Sequence, residues 1–287
     1  MRGLDLTIAA GEAFALLGPN GSGKSTAARV ACGLLKPTMG EVSISGAVLN
    51  ARGRRARHVG LAPQECALFP ALTIRENLSI MVRLCGMARG LRSAAIARAM
   101  ALVDCSARGD QAVATLSGGW KRRANLAAAL VSQPAFLVID EPTEGVDAPT
   151  RLIIARAIRQ VLDEGAGCLI ISHDAAFVEM TADRIGVLGE GRLIASGRRR
   201  ALLAEAFADD RVLSVRFLAP PTEDVVDLIE ALGLARVGGD LTWRLLAGNV
   251  LAVAEAISNG VDDGGGEMTI RRPGLDELVE RLRDPPA

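Results

Sequence analysis

Nine residues, Gly18, Pro19, Asn20, Gly21, Ser22, Gly23, Lys24, Ser25 and Thr26, constrain this chain of 287 residues more than any other stretch. They read Gly-x-x-x-x-Gly-Lys-Ser, the spacing of a phosphate-binding loop. An apolar run at 13–17 enters the loop as a strand. A helix-forming run at 27–35 leaves it and is expected to stop at Pro37. Glycines let the backbone curl, so that successive N–H groups face one concavity. The helix starting near Ser22 and Gly23 adds the positive end of its dipole. Lys24 is placed to meet the β- and γ-phosphates, Ser25 to offer a hydroxyl to Mg²⁺, and Thr26 to reach the α-phosphate. The loop by itself implies only a nucleotide.

The chain is long enough for a sizeable core and for two domains. Hydrophobic residues make up 49% of it, yet no apolar run reaches the ~18–20 residues that span a bilayer. No basic and apolar leader opens it, so no signal peptide is expected. Cys32, Cys66, Cys85, Cys105 and Cys168 are scattered without C-x-x-C spacing, which fits reduced thiols in a cytosolic protein. His58 and His173 are the only histidines, which excludes a histidine-rich metal site. The formal charge is zero and gives no argument for a nucleic-acid partner. From Arg211 onward, 8 Arg face 13 Asp and Glu, so the tail is acidic. The basic clusters at 52–57 and 198–200 read as solvated loops, with an anionic-membrane contact as the alternative.

In chain order, residues 4–8 alternate and read as a strand. Residues 41–46 alternate again and turn at Gly46. Residues 49–57 read as an exposed loop, and 58–62 as a strand ending at Pro63-Gln64. Thr73-Ile-Arg-Glu76 has the form of a capping box, and helical periodicity runs on through Leu84 until Gly86 and Gly90 break it. A further helix is expected at 93–103. Leu116-Ser-Gly-Gly-Trp120 opens a helix at 121–131. Residues 136–140 and 168–172 are apolar on both faces, hence fully buried strands, with a helix at 151–162 between them. Residues 185–188 and 192–195 flank Glu190-Gly191 as a hairpin. The tail then runs strand 212–218, helix 222–232, strand 236–237, strand 241–246, helix 250–258 and strand 267–271, before an amphipathic helix at 275–282. That βαββαβ order suggests a small α+β ferredoxin-like domain.

Several stretches narrow the nucleotide reading. Leu116-Ser-Gly-Gly, then a helix, then Phe136-Leu-Val-Ile-Asp-Glu-Pro142 resembles an ABC-transporter ATPase cassette. Pro63-Gln64 stands at that family's glutamine loop, Val146-Asp147 at its aspartate loop and Ser172-His173-Asp174 at its histidine switch. The resemblance covers residues 3 to about 197 and implies an α/β P-loop NTPase cassette with a helical subdomain. The expected domains are a cassette at 1–210, with the helical subdomain at about 70–133, and an accessory domain at 211–287. Asp140 ends a buried strand and can hold Mg²⁺ through water. Glu141 can orient or deprotonate the attacking water, and Gln64 can bind the metal or that water. The resemblance implies that His173 contacts the γ-phosphate of ATP. It also implies that Ser117, Gly118 and Gly119, with Asp147, meet ATP held by a second cassette, so that two cassettes sandwich two ATP molecules as a homodimer or heterodimer.

Leu116-Ser-Gly-Gly-x-Lys-Arg-Arg123, Glu141-Pro-Thr-Glu-Gly-Val-Asp147 and Ile270-Arg-Arg-Pro-Gly-Leu-Asp-Glu277 are similar to ABC-2 type exporter ATPases. The resemblance thus implies a cytoplasmic ATPase, peripheral on the inner face of the cell membrane, docked on a separately encoded transmembrane permease. Two departures from the family pattern stand out. Trp120 occupies the place of a usual glutamine. Only 17 residues precede Gly18 and the chain has no Tyr, so the usual upstream aromatic that stacks on adenine is not expected, Phe14 reading as core. Soluble ribosome factors also use such cassettes, some with Trp after the two glycines, but those usually join two cassettes by a basic linker. A regulatory cassette that binds ATP without turning it over is a further alternative, against which Glu141 and His173 stand.

Overall fold

The computed structural model describes residues 1–49, 59–238, 241–260 and 266–283. They divide into two compact units, Met1–Arg199 and Arg200–Ala287, the break falling at the start of helix α7 (Arg199–Phe207). In the first unit β1 (Ala13–Leu17), β4 (Val59–Ala62), β5 (Phe136–Asp140), β6 (Gly167–Ile171), β7 (Arg184–Gly189) and β8 (Arg192–Arg198) form one sheet. Its order is β4-β5-β6-β1-β7-β8. The first five of these pair parallel, and β8 folds back antiparallel on β7. Every residue of β1 and β6 is buried, which is why both read as unbroken apolar runs rather than as alternation. A separate hairpin joins β2 (Ser43–Ile44) to β3 (Ala47–Val48).

Helix α1 (Lys24–Ala31) follows β1. Between β4 and β5 lies the helical portion: α2 (Ile74–Leu84), α3 (Arg89–Leu102), two short 3-10 turns and α4 (Gly118–Leu130). The capping box is present at α2: Thr73 Oγ1 accepts from the Glu76 N–H at 3.1 Å, and Glu76 Oε2 accepts from the Thr73 N–H at 2.8 Å. Fully buried Asn77 closes the loop before α2, accepting from the Phe69 N–H and donating to the Phe69 and Thr73 carbonyls. Helix α5 (Ala148–Asp163) and α6 (Ala175–Thr181) complete this unit.

The second unit runs β9 (Arg211–Phe217), α8 (Glu223–Ala231), β10 (Ala235–Arg236), β11 (Thr242–Ala247), α9 (Val250–Gly260), β12 (Gly266–Arg271) and α10 (Leu275–Arg283). Its sheet is antiparallel, in the order β10-β11-β9-β12. Leu213, Val215, Phe217, Ile229, Trp243 and Val250 form its core, with the Phe217 and Trp243 rings edge to face at 5.6 Å.

Several sequence expectations are corrected. Residues 4–8 show the alternation of a strand, Leu4, Leu6 and Ile8 lying against the core, but carry no ladder partner among the described residues. Helix α1 ends well before Pro37. Gly33 adopts φ 71°, its N–H meets the Val30 carbonyl and the Leu34 N–H meets the Arg29 carbonyl, the paired bonds of a glycine-terminated helix. Gly90 breaks nothing; it lies in the first turn of α3. Arg198, Arg199 and Arg200 form no loop but the junction of β8 and α7, where Arg199 pairs with Glu179 at 3.1 Å. The loop expected at 49–57 falls, beyond Leu49, outside the described residues, as do the basic cluster at 52–57 and His58.

Candidate functional site

The sheet order decides what can meet. β4, β5, β6 and β1 are consecutive neighbours and parallel, so the loops leaving their carboxyl ends open on one edge, the ligand-binding edge of an α/β sheet. Gly18 to Thr26 leave β1, Gln64 follows β4, Asp140 and Glu141 close β5, and His173 follows β6. All of these except buried Ser22 line a cleft of about 680 Å³, with Glu144 and Ile171 completing its wall.

Gly18 has φ 142°, and a Cβ there would lie 2.2 Å from the Leu188 carbonyl oxygen, so the loop can run this close to β7 only as glycine. Lys24 heads α1, and its ammonium donates to the carbonyls of Gly18 and Pro19 at 2.8 and 2.9 Å. Burial lowers the pKa of Lys24, opposed by the charges of Glu141 and Asp140. Ser22 is buried, and its hydroxyl has no partner among the described residues.

The Asp140 carboxyl is raised in pKa, first by burial and then by the charge of Glu141, and is eased down by the Ser25 hydroxyl, Lys24 and Arg29. Desolvation is thus the larger effect, and a cation beside it would restore the charged form. No cluster of three or more His, Cys, Asp or Glu suited to a metal exists among the described residues. A Mg²⁺ ion, which keeps waters and takes phosphate oxygens with few carboxylates, fits Ser25 and Asp140, whereas an all-protein cage does not.

Glu141 sits at φ 48°, costly for a residue with a side chain, and its N–H bonds the Ile171 carbonyl at 2.8 Å. This turn aims the carboxylate at the end of β6. There Oε2 meets His173 Nδ1 at 2.8 Å and the His173 N–H at 3.3 Å. The bond to Glu141 raises the His173 pKa, against a smaller effect of burial. Gln64 Nε2 donates to Glu144 Oε2 at 3.1 Å.

Ser117, Gly118, Gly119 and Asp147 are not among the residues lining the cleft. Of these, Gly119 and Asp147 meet at Thr150. Ser117 is the N-cap of α4 but makes no side-chain cap bond. A Cβ on Gly119 would lie 3.2 Å from Thr150 Oγ1. Asp147 caps α5, accepting from the Thr150 N–H at 3.0 Å, and the Thr150 bonds hold its carboxyl below the usual range. Ser117 and Gly118 are exposed, so the first N–H groups of α4 face outward. Trp120 is held from within the helical portion, by the Arg123 guanidinium 3.9 Å from its ring centroid and that of Arg108 at 4.7 Å. Phe14 is fully buried. The sequence reading missed Glu144, Arg122 and Asn125. Their nearness to the motifs was visible, but their partners are set by tertiary folding.

Fold and cleft define a nucleoside-triphosphatase of the phosphate-loop class. Residues 1–144 match the ABC transporter family model. Over 210 residues the chain is 35% identical to the linearmycin resistance ATP-binding protein LnrL of Bacillus subtilis, covering 73% of this chain and 68% of that one. It is 39% identical over 211 residues to the Nod factor export ATP-binding protein I of Burkholderia lata, covering 73% and 69%. Among solved structures, an ATP-binding subunit of an ABC transporter superposes with TM-score 0.64 at 27% identity, over 70% of this chain and 84% of that one. The dimeric cassette MJ0796 in a post-hydrolysis state with ADP and Pi gives 0.61 at 26%, over 67% and 88%. The chain belongs to the ABC transporter family, as an ATP-binding and ATP-hydrolysing cassette.

Proposed function

We propose that this cassette powers an exporter, working as one of two cassettes docked on a separately encoded transmembrane permease at the cytoplasmic face of the membrane. The observation that carries the reading is the meeting of Lys24, Ser25, Asp140, Glu141, Gln64 and His173 in one cleft. The name of the Nod factor export relative supports export, and the described residues include no helix long and apolar enough to cross a membrane. The outward-facing N-terminus of α4 supports the second cassette. Its first N–H groups form an anion site without phosphate of their own, since Ser117, Gly118 and Gly119 do not line the cleft.

In this reading the loop from Gly18 to Gly23 cradles phosphate through its N–H groups. Lys24 leaves the carbonyls of Gly18 and Pro19 for the β- and γ-phosphates, and Thr26 meets the α-phosphate. Ser25, Asp140 and Gln64 would hold Mg²⁺, which when bound neutralises charge on the phosphate oxygens. Glu141 orients and deprotonates the attacking water, and His173 contacts the γ-phosphate, exchanging its Glu141 bond for that contact. Phosphoryl transfer needs positioning and charge stabilisation more than covalent help, and Ser117, Gly118 and Gly119 of a second cassette complete both. In the same reading the second unit is a ferredoxin-like accessory domain, which its βαββαβ order and antiparallel sheet support.

Affinity purification from detergent-solubilised membranes tests the assembly. A polytopic membrane protein should come down with the chain, whereas ribosomal RNA in its place would overturn the reading. Lys24→Ala should weaken ATP binding by about 10- to 100-fold, the worth of charge-assisted hydrogen bonds.

A further inference from the structure

Gln64, Glu144 and Arg122 close a ring that joins three elements. Gln64 Nε2 donates to Glu144 Oε2 at 3.1 Å. Arg122, in the second turn of α4, donates to the same Oε2 at 3.0 Å and, through its other terminal nitrogen, to the Gln64 carbonyl oxygen. The backbone on either side of Gln64 is already fixed by α4: buried Asn125 donates to the Pro63 carbonyl at 3.0 Å and accepts from the Ala67 N–H at 3.1 Å. What remains free is the side-chain amide, which could present either its oxygen or its nitrogen to the cleft. A carboxylate only accepts, so it selects the nitrogen. With Nε2 committed to Glu144, the oxygen is the end left for the contents of the cleft, which Gln64 and Glu144 both line.

We propose that Glu144 is a positioning residue for Gln64: it holds the amide so that Oε1 serves as the metal- or water-facing atom, with Arg122 neutralising and orienting Glu144 from the helical portion. The proposal rests on the reading of Gln64 given above. It assigns two charges that the phosphate-loop chemistry does not itself use, and it ties that amide to α4, the helix whose N-terminus awaits a second cassette. It also separates the two residues by the sign of their effects. Glu144 adds negative charge beside a site for anionic phosphate, and Arg122 cancels it.

The test measures ATP affinity of the full chain by titration calorimetry, in EDTA and then with excess Mg²⁺; the ratio is the metal enhancement. Gln64→Ala should cut that ratio by about tenfold, the scale of one hydrogen bond to a charged group. Glu144→Ala should cut it to the same degree, and the double variant no further, because both remove one interaction. Glu144→Gln keeps an oxygen to accept from Nε2 and should retain most of the ratio. In EDTA, Arg122→Met should weaken ATP binding by roughly two- to fivefold, the range of a partly exposed ion pair, whereas Glu144→Ala should not weaken it. If Gln64→Ala lowers the ratio and Glu144→Ala leaves it intact, the positioning role is overturned while the reading of Gln64 stands. If Gln64→Ala itself leaves the ratio intact, the reading of Gln64 falls and takes the positioning role with it. If Arg122→Met and Glu144→Ala both weaken metal-free binding alike, the ring only braces the fold and the proposal fails.

Discussion

Glu141 serves a histidine before it can serve a water. Its carboxylate is engaged by both the imidazole and the N–H of His173, so a γ-phosphate that draws the imidazole away would release the base when there is something to hydrolyse. The pair has a definite pH signature. The His173 pKa is raised above its ordinary value of 6.5. Its contribution to stability is therefore complete below 6.5 and is lost as pH rises through the raised midpoint. An NMR titration of nucleotide-free protein should place His173 above 6.5, and Glu141→Gln should bring it back towards that value; an unmoved midpoint would mean the contact is not formed in solution. The same variant should bind ATP yet hydrolyse it about 10²–10⁴-fold more slowly, the usual worth of a positioned base. Turnover at the parent rate would remove Glu141 from that role. The residues around this carboxylate differ in how readable they were. Lys24, Asp140 and Glu141 stand in motifs whose chemistry dictates their spacing. Glu144 and Arg122 lie within the stretches 141–147 and 116–123, but at positions that phosphate chemistry does not dictate, so nothing in the sequence says whom they will meet.

Elements were legible where burial is two-sided or where the ends carry caps. β1, β5 and β6 follow from their apolar runs, and α2 from Thr73 and Glu76. The misreadings lie where a local signal was outbid. Gly33 stops α1 ahead of Pro37 because a left-handed residue satisfies two orphan carbonyls at once. The 198–200 arginines looked like a solvated loop, yet arginine is a good helix former and Arg199 opens α7. Residues 4–8 have the period of a strand, but period reports only which side chains face inward, not whether a ladder partner exists. Helix α4 is where an element's geometry makes a prediction. Its N-terminus is open because Ser117 makes no side-chain cap bond. Ser117→Arg places a bulky cation where a second cassette's phosphate should approach. That variant should bind ATP but neither dimerise nor hydrolyse it, and sedimentation velocity with ATP decides the matter, since dimers at parental levels would contradict the sandwich.

For the whole molecule the question is where one folding unit ends. Each unit has its own core: Phe14, Leu16, Val138, Leu169 and Ile171 lie at the centre of the first, and Leu213, Val215, Phe217 and Trp243 at that of the second. The tail's order of strands and helices was readable because each element there is short, periodic and bounded by Gly, Pro or Thr. The sequence suggests a boundary at 210/211, whereas the two compact units part at 199/200, inside an arginine run that carries no hydrophobic pattern. Within the second unit Phe207 is only 3% exposed, the Arg281 guanidinium lies 5.1 Å from its ring centroid, and Arg281 pairs with Asp210 at 3.0 Å. A cut after Asp210 would keep α7 while removing the α10 residue that covers it, leaving an aromatic ring in water. A cut after Arg199 removes α7 with its partners and leaves the cleft residues untouched. The 1–199 chain should therefore fold and bind ATP within about twofold of the full chain, because every residue lining the cleft lies in the first unit. The 1–210 chain should melt at a lower temperature or aggregate sooner. Thermal melts and ATP titrations of the two truncations compare them directly. A well-folded 1–199 chain without ATP binding would show that the second unit is part of the nucleotide site.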